Sequence, residues 1–136
     1  MALYKDGFLF LFDTFLLGVG PGQEEWWLLN RNVYTWRSIR ALHNYFLEIL
    51  VSFGVIGFVC FISMYIKAFK TALTAFFYRD DLSAKIGCGV ALLMTVFVIS
   101  SLSASSLIRS EYVWLVYAII LAYMNNVASE DKLMKF

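Results

Sequence analysis

The sequence predicts an all-α integral membrane protein: about three transmembrane helices, preceded by an external loop that carries an interfacial helix. Three observations predict it. Of 136 residues, 61% are hydrophobic and 15% charged, against roughly 25% charged in an average soluble domain. The mean hydropathy is +0.72. Apolar runs approaching the roughly 20 residues that a spanning helix needs recur through the later part of the chain. Such a composition excludes a nucleic-acid binder, a secreted disulfide scaffold and most soluble enzymes. The net charge of +1 offers no bulk field to a polyanion. Cys60 and Cys88 both lie inside apolar runs, where they read as small packing residues.

The elements follow in order. Residues 1–42 form the interfacial helix and external loop. Their apolar stretch, residues 7–17, is too short to cross a bilayer and is followed by no small-residue cleavage site. It fits an interfacial helix or the stub of a longer element. Gly18-Val19-Gly20-Pro21-Gly22 demands sharp turns and a low backbone profile. Trp26, Trp27 and Trp36 then place residues 23–42 near a membrane–water boundary.

Residues 43–66 form the first span, with Glu48 its one carboxylate, and end at Lys67 and Lys70. Residues 67–85 read as a cytoplasmic loop. Residues 86–108 are uncharged and form the second span. Residues 109–128 form the third, entered at Trp114 and left at Asn125-Asn126, and residues 129–136 form a cytoplasmic tail. Backbone amides cannot stay unpaired in lipid, so all three spans are expected to be helices. The basic residues on the two sides nearly balance: Lys67, Lys70, Arg79, Lys85, Lys132 and Lys135 against Lys5, Arg31, Arg37, Arg40 and Arg109. The expected orientation places the N-terminal loop outside.

Three groups of residues could carry chemistry. Asn44, Glu48 and Ser52 stack at i, i+4 and i+8 on one helix face. A carboxylate one turn into a membrane helix should face protein or a wet cavity. Gly54 and Gly57 would let another helix approach closely. The same spacing also describes a capped helix start, a polar packing stripe and a glycine contact patch. His43, the single histidine, stands at the mouth of the span, suited to general-base work near neutral pH or to service as a polar anchor. Arg31, Arg37 and Arg40 could hold a lipid diphosphate through bidentate contacts, or anchor to head groups. Asp80-Asp81, adjacent and beside Arg79, read as a solvated turn rather than a metal site. The serine-rich run Ser100-Ser101-Leu102-Ser103-Ala104-Ser105-Ser106 suits close helix packing, a local distortion or a polar cavity. No zinc signature, nucleotide loop or Ser-His-Asp set is present.

The order of these features resembles the C-terminal part of the O-antigen ligase/polymerase family of bacterial membrane glycosyltransferases, and within it the teichuronic-acid-type polymerases. Leu17-Gly18-Val19-Gly20-Pro21-Gly22 is similar to the family's glycine-rich opening of a large external loop. His43-Asn44, followed by Gly54 and Gly57, looks like the ligase signature at that loop's end. Leu47-Glu48-Ile49-Leu50-Val51 looks like the teichuronic-acid branch. Ser105-Ser106-Leu107, Trp114 and the exit from Ala122 to Asn126 are similar to the last spans of that branch. Phe58-Val59 stands where the ligase signature continues with Thr-Gly, which favours a polymerase-like member over a lipid A-core ligase.

The resemblance implies a GT-C-like multi-span fold in the bacterial cytoplasmic membrane, of which this chain matches the last third or so. It implies transfer of a glycan from undecaprenyl diphosphate to an acceptor sugar hydroxyl, without a cofactor, metal or nucleotide sugar. His43 would orient or deprotonate the acceptor. Arg31, Arg37 and Arg40 would bind the diphosphate, and Asn44 and Glu48 would position His43 or the sugar. The implied partners are the lipid-linked oligosaccharide donor, the glycan acceptor, membrane lipid, and a missing N-terminal half or other polysaccharide-assembly proteins, with no nucleic acid. A fragment of this kind is expected to be inactive alone. The other reading is a small non-enzymatic membrane protein, or a remnant, that packs against a partner through its Gly and Ser faces.

Overall fold

The computed structural model describes residues 2–35, 41–79, 82–102 and 110–133. These residues form five helices and no strand: α1 (Ala2–Asp13), α2 (Glu24–Asn30), α3 (Tyr45–Tyr78), α4 (Leu82–Ser101) and α5 (Glu111–Leu133). The last three are long and apolar enough to cross a membrane. Only 22%, 39% and 28% of their apolar windows is buried within the chain. The large apolar side chains left outside, among them Ile56, Val59, Leu92, Val96 and Trp114, suit lipid or further protein. The chain divides into two compact units, Met1–Phe61 with Ser100–Arg109, and Ile62–Ile99 with Ser110–Phe136.

In the first unit, Phe10 of α1, Leu28 of α2, and Leu42, Leu47 and Val51 at and within α3 form a buried cluster, bordered by Val19 and Trp27. Helix α2 begins with Glu24 and Glu25, whose charges complement the positive end of the helix dipole. Asn44 caps α3: its Oδ1 accepts the Leu47 N–H at 3.0 Å.

Helix α3 is not continuous. Gly54 has φ 70° and ψ −176°, which breaks the helix between Phe53 and Val55. In an unbroken helix the Val55 N–H would bond to the Val51 carbonyl. Here the loop after α1 supplies both substitutes. The Val55 N–H donates to the Leu16 carbonyl at 3.0 Å, and the Val51 carbonyl accepts the Val19 N–H at 2.8 Å. The Ser52 carbonyl accepts from Gly20 N–H at 3.0 Å. The loop fits only because two glycines meet there. A Cβ on Gly18 would lie 2.7 Å from the Ser52 carbonyl oxygen, and one on Gly54 would collide with the backbone of Leu16 and Leu17. Gly54 is thus approached by a loop backbone, not by the second helix expected at that position. Gly57 likewise faces its own helix, its Cβ position lying 2.6 Å from the Phe53 Cβ.

In the second unit, small side chains bring helices close: Ala68, Ala72 and Ala75 on α3, and Ala84 and Ala91 on α4, are all buried. The Tyr65 hydroxyl donates to the Met94 carbonyl at 2.6 Å. The Tyr123 hydroxyl donates to the Ser83 carbonyl at 3.1 Å, and Ser83 Oγ donates to Glu130 at 2.7 Å. Arg79 completes the group, 3.1 Å from the same Glu130 oxygen.

The helix ends differ from those the hydropathy suggests. No Gly or Pro stands between Phe58 and Tyr78, so α3 runs past Lys67 and Lys70 through most of the expected 67–85 loop. After the break, residues 55–78 alone make about 36 Å of helix, enough for a hydrocarbon core of about 30 Å. Helix α4 begins at Leu82, ahead of the expected residue 86, and runs to Ser101. Cys60 is exposed and Cys88 half-buried, and both are free thiols. Asp80, Asp81, Arg109 and the Ser105-Ser106-Leu107 match lie outside the described residues.

The glycine pair is testable. Gly18→Ala and Gly54→Ala are each expected to cost about 3 kcal/mol or more, by collision and by loss of the loop's hydrogen bonds. Gly22, at φ 79° with open space around it, should cost only the left-handed penalty, about 1 kcal/mol, as Gly22→Ala. Thermal unfolding in detergent compares the three, and equal losses would contradict this packing.

Candidate functional site

The polar residues of the first unit converge on the start of α3. Asn44, Glu48 and Ser52 share one face, and all three are buried. Asn44 does more than cap: its Nδ2 donates to the Tyr4 hydroxyl and to the Leu102 carbonyl, each at 3.1 Å. Ser52 Oγ lies 3.5 Å from Oε2 of Glu24, which is itself buried at the start of α2. Two buried carboxylates, Glu24 of α2 and Glu48 of α3, therefore lie within one small helical unit. The loop turns through Gly18, Gly20 and Gly22, at φ 88°, 95° and 79°, and lies along α3 at residues 51–55.

His43 stands directly before the Asn44 cap, exposed, in the left-handed region at φ 51°. Histidine visits that region more readily than most residues, at a cost of about 1 kcal/mol. The exposed ring thus sits at the mouth of the buried stripe. Arg31 ends α2: its N–H donates to the Trp27 carbonyl at 2.8 Å, and its guanidinium lies 5.8 Å from the centroid of the Trp27 ring. It is exposed. Arg37 and Arg40 lie outside the described residues, as does Trp36.

Two residues in this unit have no counterpart in the sequence reading. Glu24 is one. Asp6 is the other, fully buried in α1. Its Oδ1 accepts the Val33 N–H at 2.9 Å and the Tyr34 N–H at 3.0 Å, and its Oδ2 accepts the Thr35 N–H at 2.8 Å and the Thr35 hydroxyl. Burial alone raises this carboxyl's pKa, but the hydrogen bonds from Thr35 and from the Val33, Tyr34 and Thr35 amides outweigh it. The net position is below the usual carboxylate value. Asp6 thereby fixes the stretch that leads from α2 towards Arg37, Arg40 and His43. An acid in the middle of an apolar helix was the available signal, but its partners are backbone amides some 27 to 29 residues away.

Among the described residues, no three His, Cys, Asp or Glu side chains gather as a metal site would need. What the unit offers is an exposed imidazole next to the capped start of a buried, hydrogen-bonded polar face, and an exposed guanidinium at the end of α2.

Three apolar helices of spanning length, with no strand among the described residues, define an all-α membrane protein. No family model matches the chain, and no solved structure matches it. It is 30% identical over 126 residues to the teichuronic acid biosynthesis protein TuaE of Bacillus subtilis (strain 168). That match covers 90% of this chain and 25% of the relative, so the chain spans about a quarter of TuaE's length. The resemblance to teichuronic-acid-type polymerases read from the sequence is thereby supported, through a distant homologue.

The Asp6 anchor carries a pH signature. Because its pKa is lowered in the folded chain, its stabilisation is complete above the unfolded value of 3.8 and is lost as pH falls through the lower folded value. Asp6→Asn should cost about 2 kcal/mol at neutral pH, by replacing a charged acceptor. Hydrogen exchange at Val33, Tyr34 and Thr35 should accelerate in Asp6→Asn at neutral pH, and in the parent chain only as pH falls below 3.8. Unchanged protection in the variant would remove Asp6 from this role.

Proposed function

We propose that this chain is a C-terminal segment of a bacterial cytoplasmic-membrane enzyme of polysaccharide biosynthesis, a polymerase or ligase of the O-antigen/teichuronic acid type. The observation that carries the reading is His43 held exposed at the mouth of the buried Asn44–Glu48–Ser52 face. The distant relationship to a teichuronic acid biosynthesis protein supports it.

The reaction is glycan transfer from undecaprenyl diphosphate. The acceptor hydroxyl oxygen bonds to the anomeric carbon as the bond from that carbon to the diphosphate oxygen breaks. His43 takes the hydroxyl proton as its oxygen attacks. Arg31, with Arg37 and Arg40, meets the negative charge that collects on the departing diphosphate. Asn44 holds the helix start against Tyr4 and the Leu102 carbonyl, which fixes the backbone from which His43 projects. Glu48, one turn further in, positions the sugar or the imidazole.

In the complete protein, His43→Ala should reduce polymer extension by a factor of about 10² to 10⁴, the usual worth of a general base, at unchanged membrane abundance. His43→Asn separates backbone from base, since asparagine also tolerates the left-handed conformation. It should be as defective as His43→Ala. Glycan length read on a gel for both variants decides the matter: normal polymer in His43→Asn would leave His43 a purely conformational role.

A further inference from the structure

The basic face of α3 in the second unit takes no part in the proposed transfer. A cavity of about 780 Å³ opens there, lined by Lys67, Lys70 and Arg79, with hydroxyls from Thr71, Thr74 and Tyr78. Lys67, Lys70 and Thr74 lie at i, i+3 and i+7 on one helix face, and all three are exposed. No acidic side chain among the described residues lines the cavity, although Arg79 is shared with Glu130 at 3.1 Å. A groove of about 380 Å³ adjoins it, with Ile66 and Lys70 lining both. Tyr65, Phe69, Val98 and Ile99 make that groove almost wholly apolar.

We propose that this cationic cavity and its apolar groove are the binding site of an anionic phospholipid, its phosphate on Lys67 and Lys70 and one acyl chain along Phe69, Val98 and Ile99. Charge and shape together select this occupant. Two ammonium groups one helical turn apart, with hydroxyls beside them, match a phosphate's spread of acceptor oxygens. A free anion would leave the apolar groove empty, and a neutral lipid would leave two lysines unmatched. The site also lies on helices of membrane-spanning length, where phospholipid is the surrounding solvent.

Native mass spectrometry of the detergent-solubilised chain tests the assignment, with phosphatidylglycerol and phosphatidylcholine of identical acyl chains as probes. A one-lipid adduct favouring phosphatidylglycerol by about tenfold is expected from two matched charges. Lys67→Gln combined with Lys70→Gln should bring the two lipids to parity, while Lys5→Gln, elsewhere on the chain, should keep the preference. Val98→Trp, which fills the groove, should weaken the long-chain adduct and spare a dihexanoyl one. Circular dichroism confirms that each variant remains helical. Equal adducts of the two lipids, or a preference that survives in the double lysine variant, would overturn the proposal. Displacement of phosphatidylglycerol by millimolar inorganic phosphate would assign the cavity to a free anion instead. A lipid-free dimer would assign it to a second copy of the chain; either result also overturns it.

Discussion

A peptide group in lipid has no water to fall back on, and a broken membrane helix must find every lost hydrogen bond within the protein. At Gly54 that constraint is met by a segment nearly forty residues earlier in the chain. The loop from Leu16 to Gly20 takes over both ends of the missing bond between Val55 and Val51, and adds one to the Ser52 carbonyl. Each unmet group would cost several kcal/mol in a hydrocarbon setting. Phe15 and Leu16 hold left-handed conformations, at φ 51° and 66°, to bring the Leu16 carbonyl into place. That strain, about 1 kcal/mol per residue, is small beside the bonds it permits.

The polar face depends on this joint. Ser52 lies two residues before Gly54, and its carbonyl is held by Gly20 while its hydroxyl faces Glu24. Asn44 secures the other end of the same helical segment through its cap and its bonds to Tyr4 and Leu102. Between these ties Glu48 is buried, and His43 projects outside them. The segment that bears the candidate chemistry is thus a short helix clamped at both ends, set apart from the long piece that follows.

Much of this was legible in the sequence where the physics is local. Apolar runs reveal spanning helices because lipid leaves the backbone no alternative, and the i, i+4, i+8 spacing of Asn44, Glu48 and Ser52 reveals a shared face because helix geometry is fixed. The turns at Gly18, Gly20 and Gly22 were readable for the same reason. The break at Gly54 was not, because a glycine in an apolar run serves equally for a helix contact or a left-handed residue, and only the distant Gly18 decides. Asp6 and Glu24 stayed hidden because their partners are set by the fold, not by spacing. The continuation of α3 past Lys67 and Lys70 shows that a basic pair at the end of an apolar run does not by itself end a helix.

The joint at Gly54 also has an order in time. Leu16 to Gly20 leave the ribosome about thirty-five residues before Gly54, a lead of several seconds at roughly 5–20 residues per second. When residues 51–55 arrive with their unpaired groups, the loop that completes them has already been made. Synthesis from the N-terminus therefore delivers the patch before the gap, and the chain need not hold an open break in the bilayer while its remedy is still being translated.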